Sequence, residues 1–175
     1  MNNRFVMLIG IAGSGKTTYA YRFRDCLCDS RERATIFSSD DIREEFYGDA
    51  SIQGDNTSIF GELNARTLRH LSDGYTAIYD ATNLNKKRRV QLLQKVYSID
   101  PSIERICIVF QTPPKTCIAR NQLRERVVPE EVIKRQYHQL EYPTYDEGWH
   151  KIYNAPSALE EDLSIVTRPE QIVAP

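Results

Sequence analysis

The stretch GIAGSGKT, residues 10–17, follows directly on the apolar run FVMLI of residues 5–9. It fits the pattern G-x-x-x-x-G-K-[ST], which forms a loop between a strand and a helix. Its glycines let backbone N–H groups converge on an anion, and the helix that begins near Lys16 adds the positive end of its dipole. Lys16 is expected to bridge β- and γ-phosphates, and the Thr17 hydroxyl to ligate Mg2+. The full match in this context disfavours the alternative, a glycine-rich turn that only permits tight packing.

This loop therefore predicts a binding site for the phosphates of a nucleotide. Its predicted nucleotide-binding residues are Gly13, Ser14, Gly15, Lys16, Thr17 and Thr18.

The rest of the chain alternates apolar runs with segments of helical periodicity. The apolar runs span residues 4–11, 34–39, 75–81 and 105–111. Such alternation predicts an α/β fold, with a parallel sheet covered by helices on both faces. After the fourth run, prolines open two predicted helices, over residues 115–126 and from Pro129 to Leu140, and one further short strand is expected in LSIVT. Residues 48–56 are predicted to form a flexible loop.

Composition limits the class of protein. The chain has 175 residues, 41% of them hydrophobic, which predicts one domain over residues 1–175. Its formal net charge of -1 excludes a global basic field, so contact with a polyanion must be local. The four cysteines form no CxxC pair, and the longest apolar stretch is far shorter than the ~20 residues of a membrane helix. We expect a soluble cytoplasmic protein without a membrane partner.

The end of the second apolar run reads SSDDIREEF. Asp40 and Arg43 are three residues apart and share one face if a helix begins here. A carboxylate that accepts a hydroxyl proton, beside an arginine that holds a phosphate, suits phosphoryl transfer to an alcohol. The alternative is equally open at this point: Ser39 or Asp40 only caps a short helix, and Arg43 is solvated.

The end of the third run reads YDATNLNKKRR. Asp80 stands where an acidic residue would hold Mg2+, directly or through water. No glutamate follows it, which argues against an ATPase motor, and no N-K-x-D sequence is present to select guanine. Thr82 and Asn83 suit a turn that also presents hydrogen bonds to a ligand. The basic run that follows, which includes Arg88, either steers a polyanion or forms a solvated helix face.

After the fourth run, the predicted helix carries Arg120, Arg124 and Arg126. Arginines in a mobile lid over the nucleotide would neutralise the charge that develops on a transferred phosphoryl group. The alternative for at least one of them is surface pairing with a neighbouring glutamate. The sequence does not select the acting arginine.

These motifs, together with ARNQLRERVVPEEVIKRQYHQLEYPTYDEGW, resemble the 5'-hydroxyl polynucleotide kinases of the P-loop kinase superfamily over residues 5 to about 150. The resemblance implies a three-layer P-loop NTPase fold, with the P-loop strand near the middle of the sheet and a helical lid over about residues 113–141. It implies ATP and Mg2+ as cofactors and the 5'-hydroxyl end of DNA or RNA as the acceptor. Because the chain has neither a D-x-D-x-T phosphatase motif nor a K-x-D-G ligase motif, the similarity is to a stand-alone kinase domain.

The resemblance also implies a role for each matching position. Asp40 would be the general base on the 5'-hydroxyl, and Arg43 would hold a phosphate of the acceptor strand. The implied catalytic residues are Lys16, Asp40, Arg124 and Arg126; the implied substrate-binding residues are Asp40, Arg43, Thr82, Asn83 and Arg88; Thr17 and Asp80 would bind metal; and Arg120 would join the loop in binding the nucleotide.

Two other functions stay open. Related P-loop kinases phosphorylate small molecules, sugar nucleotides, nucleosides or hydroxymethylated bases, which makes the same chemistry on a smaller hydroxyl the first alternative. A nucleotide-binding module that switches a partner without phosphorylating anything is the second, although it would leave Asp40 without a role.

Overall fold

A computed structural model of the chain describes residues 3–29, 33–50, 52, 54–124 and 126–155. The strands in this part are β1 (Arg4–Ile9), β2 (Ala34–Ser38), β3 (Thr76–Asp80), β4 (Glu104–Val109) and β5 (Lys151–Asn154). The helices in it are α1 (Lys16–Asp29), α2 (Ser39–Tyr47), α3 (Asn56–Ser72), α4 (Lys86–Ile99), α5 (Pro114–Gln122) and α6 (Glu130–Gln139), with a 3-10 turn at Tyr145–Glu147. The predicted alternation of strand and helix is confirmed.

The sheet is parallel throughout, in the order β2-β3-β1-β4-β5. The strand before the glycine-rich loop is therefore the central one, as the resemblance implied. Phe5 pairs with Ala77 on one side and with Arg105 on the other. Because β1 has neighbours on both edges and helices over both faces, its side chains from Phe5 to Ile9 are apolar without alternation.

Two apolar cores separate the three layers. Val6 faces the core beneath α1, where Phe23 is buried, whereas Met7 faces the core beneath α3 and α4, where Leu63 and Val96 are buried. The β1 to β2 and β3 to β4 connections run in opposite directions along the sheet. Because both crossovers are right-handed, their helices α1 and α4 lie on opposite faces. The structure is the three-layer P-loop NTPase fold that the sequence predicts. No described helix has the length and apolar composition that crossing a membrane requires.

The predicted helix over residues 115–126 is wrong at its C-terminal end, because α5 ends at Gln122. The buried Asn121 side chain donates to the Val128 carbonyl over 2.7 Å and accepts from the Val128 N–H over 3.0 Å. These two bonds pull the chain back towards α6 instead of letting the helix continue. The arginines beyond residue 122 therefore lie in a loop.

One helix boundary and one strand also differ from the predictions. Helix α3 begins at Asn56, because the Asp55 carboxylate accepts bonds from the N–H groups of Thr57 and Ser58 and caps the first turn. At the other end of the chain, β5 pairs in parallel with β4 at residues 151–154. Its sequence, KIYN, is too short and too polar to stand out as a strand. The strand predicted in LSIVT, residues 163–167, lies outside the described residues.

Candidate active site

A cleft of about 1410 Å³ opens at the carboxyl ends of β1 and β3. The connection that follows β1 runs towards β2, whereas the connection that follows β3 runs the other way, towards β4. In doubly wound sheets, a crevice forms where neighbouring connections diverge in this way. The predicted site residues that line it are Gly13, Gly15, Lys16, Thr17, Thr18, Asp40, Arg43, Asp80, Thr82, Asn83, Arg88, Arg120, Arg124 and Arg126. Ser14, the remaining predicted residue, belongs to the loop but is buried. Residues far apart in the sequence thus share one cleft, while their individual roles stay predictions.

The glycine-rich loop needs its glycines for two reasons. Gly13 and Gly15 have φ values of 79° and 100°, where residues with a side chain are strained. A Cβ at Gly13 would also collide with the backbone carbonyl of Cys117 in α5. The loop is therefore packed directly against the helix that follows β4.

Lys16, the first residue of α1, is buried at the floor of the cleft. Its Nζ donates to the Ile11 carbonyl over 2.8 Å and lies 3.3 Å from Ser14 Oγ. Burial lowers the pKa of this ammonium, an effect that nearby Asp80 opposes. The positive charge is thus held inside the curve of the loop, where a phosphate would meet it.

Thr17 and Asp80 place two side-chain oxygen groups next to Lys16. The Thr17 hydroxyl donates to Asp80 Oδ2 over 2.8 Å, and Asp80 is only 4% exposed. Burial raises the pKa of the Asp80 carboxyl, with Lys16 and Thr17 opposing the shift. A hydroxyl and a carboxylate beside a phosphate loop fit Mg2+, which takes few protein ligands and keeps water and phosphate oxygens. The described residues contain no cluster of three or more side chains that would hold a metal without such help.

Asp40 begins the opposite wall of the cleft, in the first turn of α2. Ser38 is the N-cap of this helix, and its hydroxyl accepts the bond from the Asp40 N–H over 3.1 Å. The capping role that the sequence left open between Ser39 and Asp40 therefore belongs to neither. The Asp40 carboxylate is free to point outward and is 47% exposed.

Two guanidinium groups contact one oxygen of this carboxylate. Arg43 Nη1 and Arg126 Nη1 each lie 3.1 Å from Asp40 Oδ1. Within the part of the chain that the structure describes, no hydrogen bond or ion pair involves Oδ2. Arg126, from the loop between α5 and α6, thus reaches across the cleft to α2.

Arg43 is buried rather than solvated. Its guanidinium donates to the Ser39 carbonyl over 3.2 Å and to Asn56 Oδ1 over 3.0 Å, which joins α2 to the start of α3. The buried Nε has no partner among the described residues. Arg43 therefore fixes the position of Asp40 while it lines the cleft.

The turn after β3 is joined to the glycine-rich loop by a backbone hydrogen bond. The Gly10 N–H donates to the Thr82 carbonyl over 3.1 Å. Asn83 has a φ of 54°, and its side-chain amide donates to the Leu8 and Ala81 carbonyls. The Asn83 NH2 group is thus engaged by the scaffold, so contact with an acceptor would involve its carbonyl oxygen or the neighbouring Thr82 hydroxyl.

A buried ion pair supports this turn from behind. Arg89 donates from Nε and Nη2 to the two Glu147 oxygens over 2.7 Å each, and from Nη1 to the carbonyls of Asn83 and Leu84 over 3.0 Å. Trp149 Nε1 donates to the same glutamate over 3.2 Å. Sequence reasoning placed Arg89 in an undivided basic run and assigned Glu147 no role. The available signal was the segment YPTYDEGW, in which a glutamate lies two residues before a tryptophan.

The lid arginines occupy three different positions. Arg120, on α5, lies over the loop, with its Nη1 3.8 Å from where a Cβ of Gly15 would stand. Arg126 pairs with Asp40, whereas Arg124 is exposed and its guanidinium has neither an ion pair nor a hydrogen bond among the described residues. The prediction that one helix carries both Arg120 and Arg124 is wrong, because α5 ends between them.

Sequence reasoning missed one contact between the lid and the loop. Gln136 of α6 accepts a 2.8 Å bond from the Ala12 N–H through its Oε1. A glutamine inside a polar helix carries no signal of this role, because only the folding of α6 over the loop brings the two groups together.

The family model described as an AAA domain, AAA_33, matches residues 5–143, more than half of the chain. The chain belongs to this family. The match begins in β1 and ends just beyond α6, so it includes the loop, both carboxylates and the lid.

Among curated proteins, this AAA domain is similar to the L-seryl-tRNA(Sec) kinase of Methanococcus maripaludis. The two are 24% identical over 149 residues, which cover 82% of this chain and 55% of that protein. The chain thus spans about half the length of the curated relative that it matches.

Solved structures share its fold at low identity. Kti12 of Chaetomium thermophilum, in complex with ADP-AlF3, is 15% identical with a TM-score of 0.67, covering 91% of this chain and 92% of that one. A chain of the Pnkp1/Rnl/Hen1 RNA repair complex is 21% identical with a TM-score of 0.62, covering 79% of this chain and 44% of that one.

Proposed function

We propose that this AAA domain is a kinase that transfers the γ-phosphate of ATP to a 5'-hydroxyl end of DNA or RNA. The observation that carries the proposal is the Asp40 carboxylate, which lies in the phosphate-loop cleft, accessible and fixed by Arg43. If Asp40 capped the helix or made a buried scaffold contact, its carboxylate would not be available in the cleft. A carboxylate beside bound triphosphate can accept the proton of an attacking alcohol.

The donor side of the site would hold ATP through the loop residues. Backbone N–H groups of residues 13–18 and the Lys16 ammonium would contact the phosphates, and Arg120 lies close enough to join them. Thr17 and Asp80 would hold Mg2+, which neutralises phosphate charge when bound. Kti12, which shares this fold, was solved in complex with ADP-AlF3, and this supports nucleotide binding by the chain.

The acceptor side would be the wall formed by α2 and the turn after β3. A hydroxyl that approaches the uncommitted Asp40 Oδ2 would lie across the cleft from the loop. Arg43 and Arg88 supply positive charge for an adjacent phosphate, which a nucleic-acid end carries and a simple alcohol lacks. The fold shared with a chain of an RNA repair complex, and the likeness to a kinase named for a tRNA, favour a nucleic-acid acceptor.

The test supplies labelled ATP and Mg2+ with several acceptors in parallel: 5'-hydroxyl oligonucleotides, nucleosides, sugar nucleotides and hydroxymethylated duplex DNA. We expect label on the oligonucleotide. Asp40→Asn removes the proton acceptor and is expected to lower turnover by roughly 10²- to 10⁴-fold with little change in ADP affinity. Asp41→Asn is the matched control, because this neighbouring carboxylate is exposed and does not line the cleft.

Each other outcome selects a different function. Label only on a small or base-borne hydroxyl would favour the same chemistry on a smaller acceptor. Nucleotide binding without any labelled acceptor would favour a switch. Equal losses in Asp40→Asn and Asp41→Asn would contradict the role of Asp40.

A further inference from the structure

The cleft carries a charge that differs sharply from that of the whole chain. Among the described residues that line it, ten have a guanidinium or ammonium group, one of them the buried Arg89, and three have a carboxylate. The chain as a whole has a formal net charge of -1. Basic residues are therefore concentrated on this one surface, and more of them are present than a single triphosphate needs.

The basic run at the start of α4 divides between two environments. Lys86 pairs with Asp146 over 2.7 Å, and Arg89 pairs with Glu147 inside the core. Lys87 and Arg88, between them, are exposed, line the cleft and have no ion pair with a described residue. Arg88 lies 6.0 Å from the centre of the Phe60 ring. Half of the run thus stabilises the fold, and half faces the cleft.

The cleft continues along α4, away from Asp40. Lys87, Gln91 and Lys95 are spaced four residues apart, so they share one helix face, and all three line the cleft. Gln91 and Lys95 also line an adjoining hollow of about 570 Å³, together with Gln94 and Ser98. From Lys87 to Lys95 the helix advances about 12 Å. Since α4 leads from the end of β3 to the start of β4, this face descends the flank of the sheet.

The chemistry of this face suits a phosphodiester backbone. Lys95 is exposed and has no ion pair or hydrogen bond among the described residues, and carboxylates are absent from the described lining of the hollow. Lysines provide charge for phosphate oxygens, and the glutamine side chains provide hydrogen bonds for phosphate and sugar, whereas the Ser98 hydroxyl donates to the Gln94 carbonyl over 2.9 Å. A small phosphorylated metabolite would occupy only the part of the cleft nearest Asp40.

We infer that the α4 face of Lys87, Gln91 and Lys95 binds the acceptor strand downstream of its 5'-hydroxyl, through its phosphates. This inference rests on the proposed kinase function and adds a substrate requirement to it. Acceptors with several phosphodiester groups are favoured over a nucleoside 3'-phosphate, and base sequence matters little, because contacts to the backbone do not read bases.

The experiment measures KM for 5'-hydroxyl acceptors of increasing length, from a nucleoside 3'-phosphate to single-stranded oligonucleotides, at several salt concentrations. KM is expected to fall with length until the strand covers the α4 face. Lys95→Gln is expected to reduce the ratio of KM between the shortest and the longer acceptors. The slope of log affinity against log salt for a labelled oligonucleotide should become shallower by about 0.7, the value for one phosphate contact on a single strand.

Lys115→Gln is the matched control, since this lysine is exposed on α5 and lies outside the described lining of the cleft. It should leave both the KM ratio and the salt slope as in the unmodified protein. Phosphorylation of oligonucleotides with a KM independent of length, or equal effects of Lys95→Gln and Lys115→Gln, would overturn the inference and leave the proposed function intact. Failure to phosphorylate any oligonucleotide would overturn both.

Discussion

At the scale of single residues, neighbouring side chains of one type have different uses. Asp40 and Asp41 are adjacent acids in the first turn of α2, but only Asp40 lines the cleft. The Ser38 hydroxyl takes the N-cap bond, which spares the Asp40 carboxylate from that role. Asp80 is the opposite case, a buried carboxylate committed to Thr17. Asp40 and Asp80 therefore differ in the way that their proposed tasks, proton acceptance and metal binding, require.

The division of tasks predicts distinct effects for the two acids. Asp80→Asn preserves the shape and removes the charge, so Mg2+ should no longer raise the affinity for ADP. The measurement is ADP affinity by calorimetry with and without Mg2+. Asp40→Asn is the matched variant in the same cleft and should retain the Mg2+ effect. Retention of the effect in Asp80→Asn would show that the ion is held elsewhere.

At the scale of elements, the site depends on segments that do not touch a substrate. Arg89 of α4 and Glu147 of the 3-10 turn form a bidentate ion pair in the core, and the same guanidinium holds two carbonyls of the turn after β3. Glu147 also accepts a 3.2 Å bond from the Thr144 N–H. Four donors thus converge on one glutamate, which connects the segment after α6 with the floor of the cleft.

Removing the charge of this glutamate should be costly. Glu147→Gln leaves the Arg89 guanidinium buried without a counter-charge, and loss of one partner of a buried pair costs about 3 to 5 kcal/mol of unfolding free energy. Urea denaturation measures the change. Glu131→Gln, which affects only an exposed pair with Lys134 in α6, is the control and should have a small effect.

A double variant separates charge from packing at this position. Arg89→Met with Glu147→Leu removes both charges and should recover part of the lost stability. If Glu147→Gln were as stable as the control, the pair would not support the turn.

At the scale of the whole molecule, the fold determines where the charged side chains lie. A chain with a nearly balanced composition places ten of its described cationic side chains along one cleft, at the point where the strand connections diverge. Loop, α2, turn and lid reach this cleft from different parts of the chain, and Gln136 and Arg126 connect the lid to the loop and to α2. A ligand that binds where these segments meet should therefore stabilise the folded state of the whole domain.

Nucleotide binding is expected to raise the thermal stability of the protein. At an Mg2+-ADP concentration about 100 times its Kd, linkage adds about 2.7 kcal/mol, which corresponds to a rise in Tm of roughly 5 to 11 °C for a protein of this size. Differential scanning fluorimetry measures it. Lys16→Met removes the ammonium and should reduce the shift. An unchanged Tm at saturating nucleotide would contradict nucleotide binding by the loop.

Several features were readable from the sequence because they depend on local pattern. The loop requires glycines at fixed spacing, the apolar runs identify the buried strands, and a strand–helix alternation permits few topologies other than a parallel sheet. The carboxyl ends of parallel strands lie at one edge, so Asp40 and Asp80 could be assigned to one site before their positions were known.

Other features arose only in the tertiary structure, because they are contacts between distant segments. The end of α5 depends on the bonds between Asn121 and Val128, which no helical periodicity reveals. The pairing of Arg89 with Glu147 and the reach of Arg126 to Asp40 each join residues more than fifty positions apart. The sequence by itself determined the sheet and the phosphate loop, whose causes are local, whereas packing decided which charges are buried in pairs and which face the cleft.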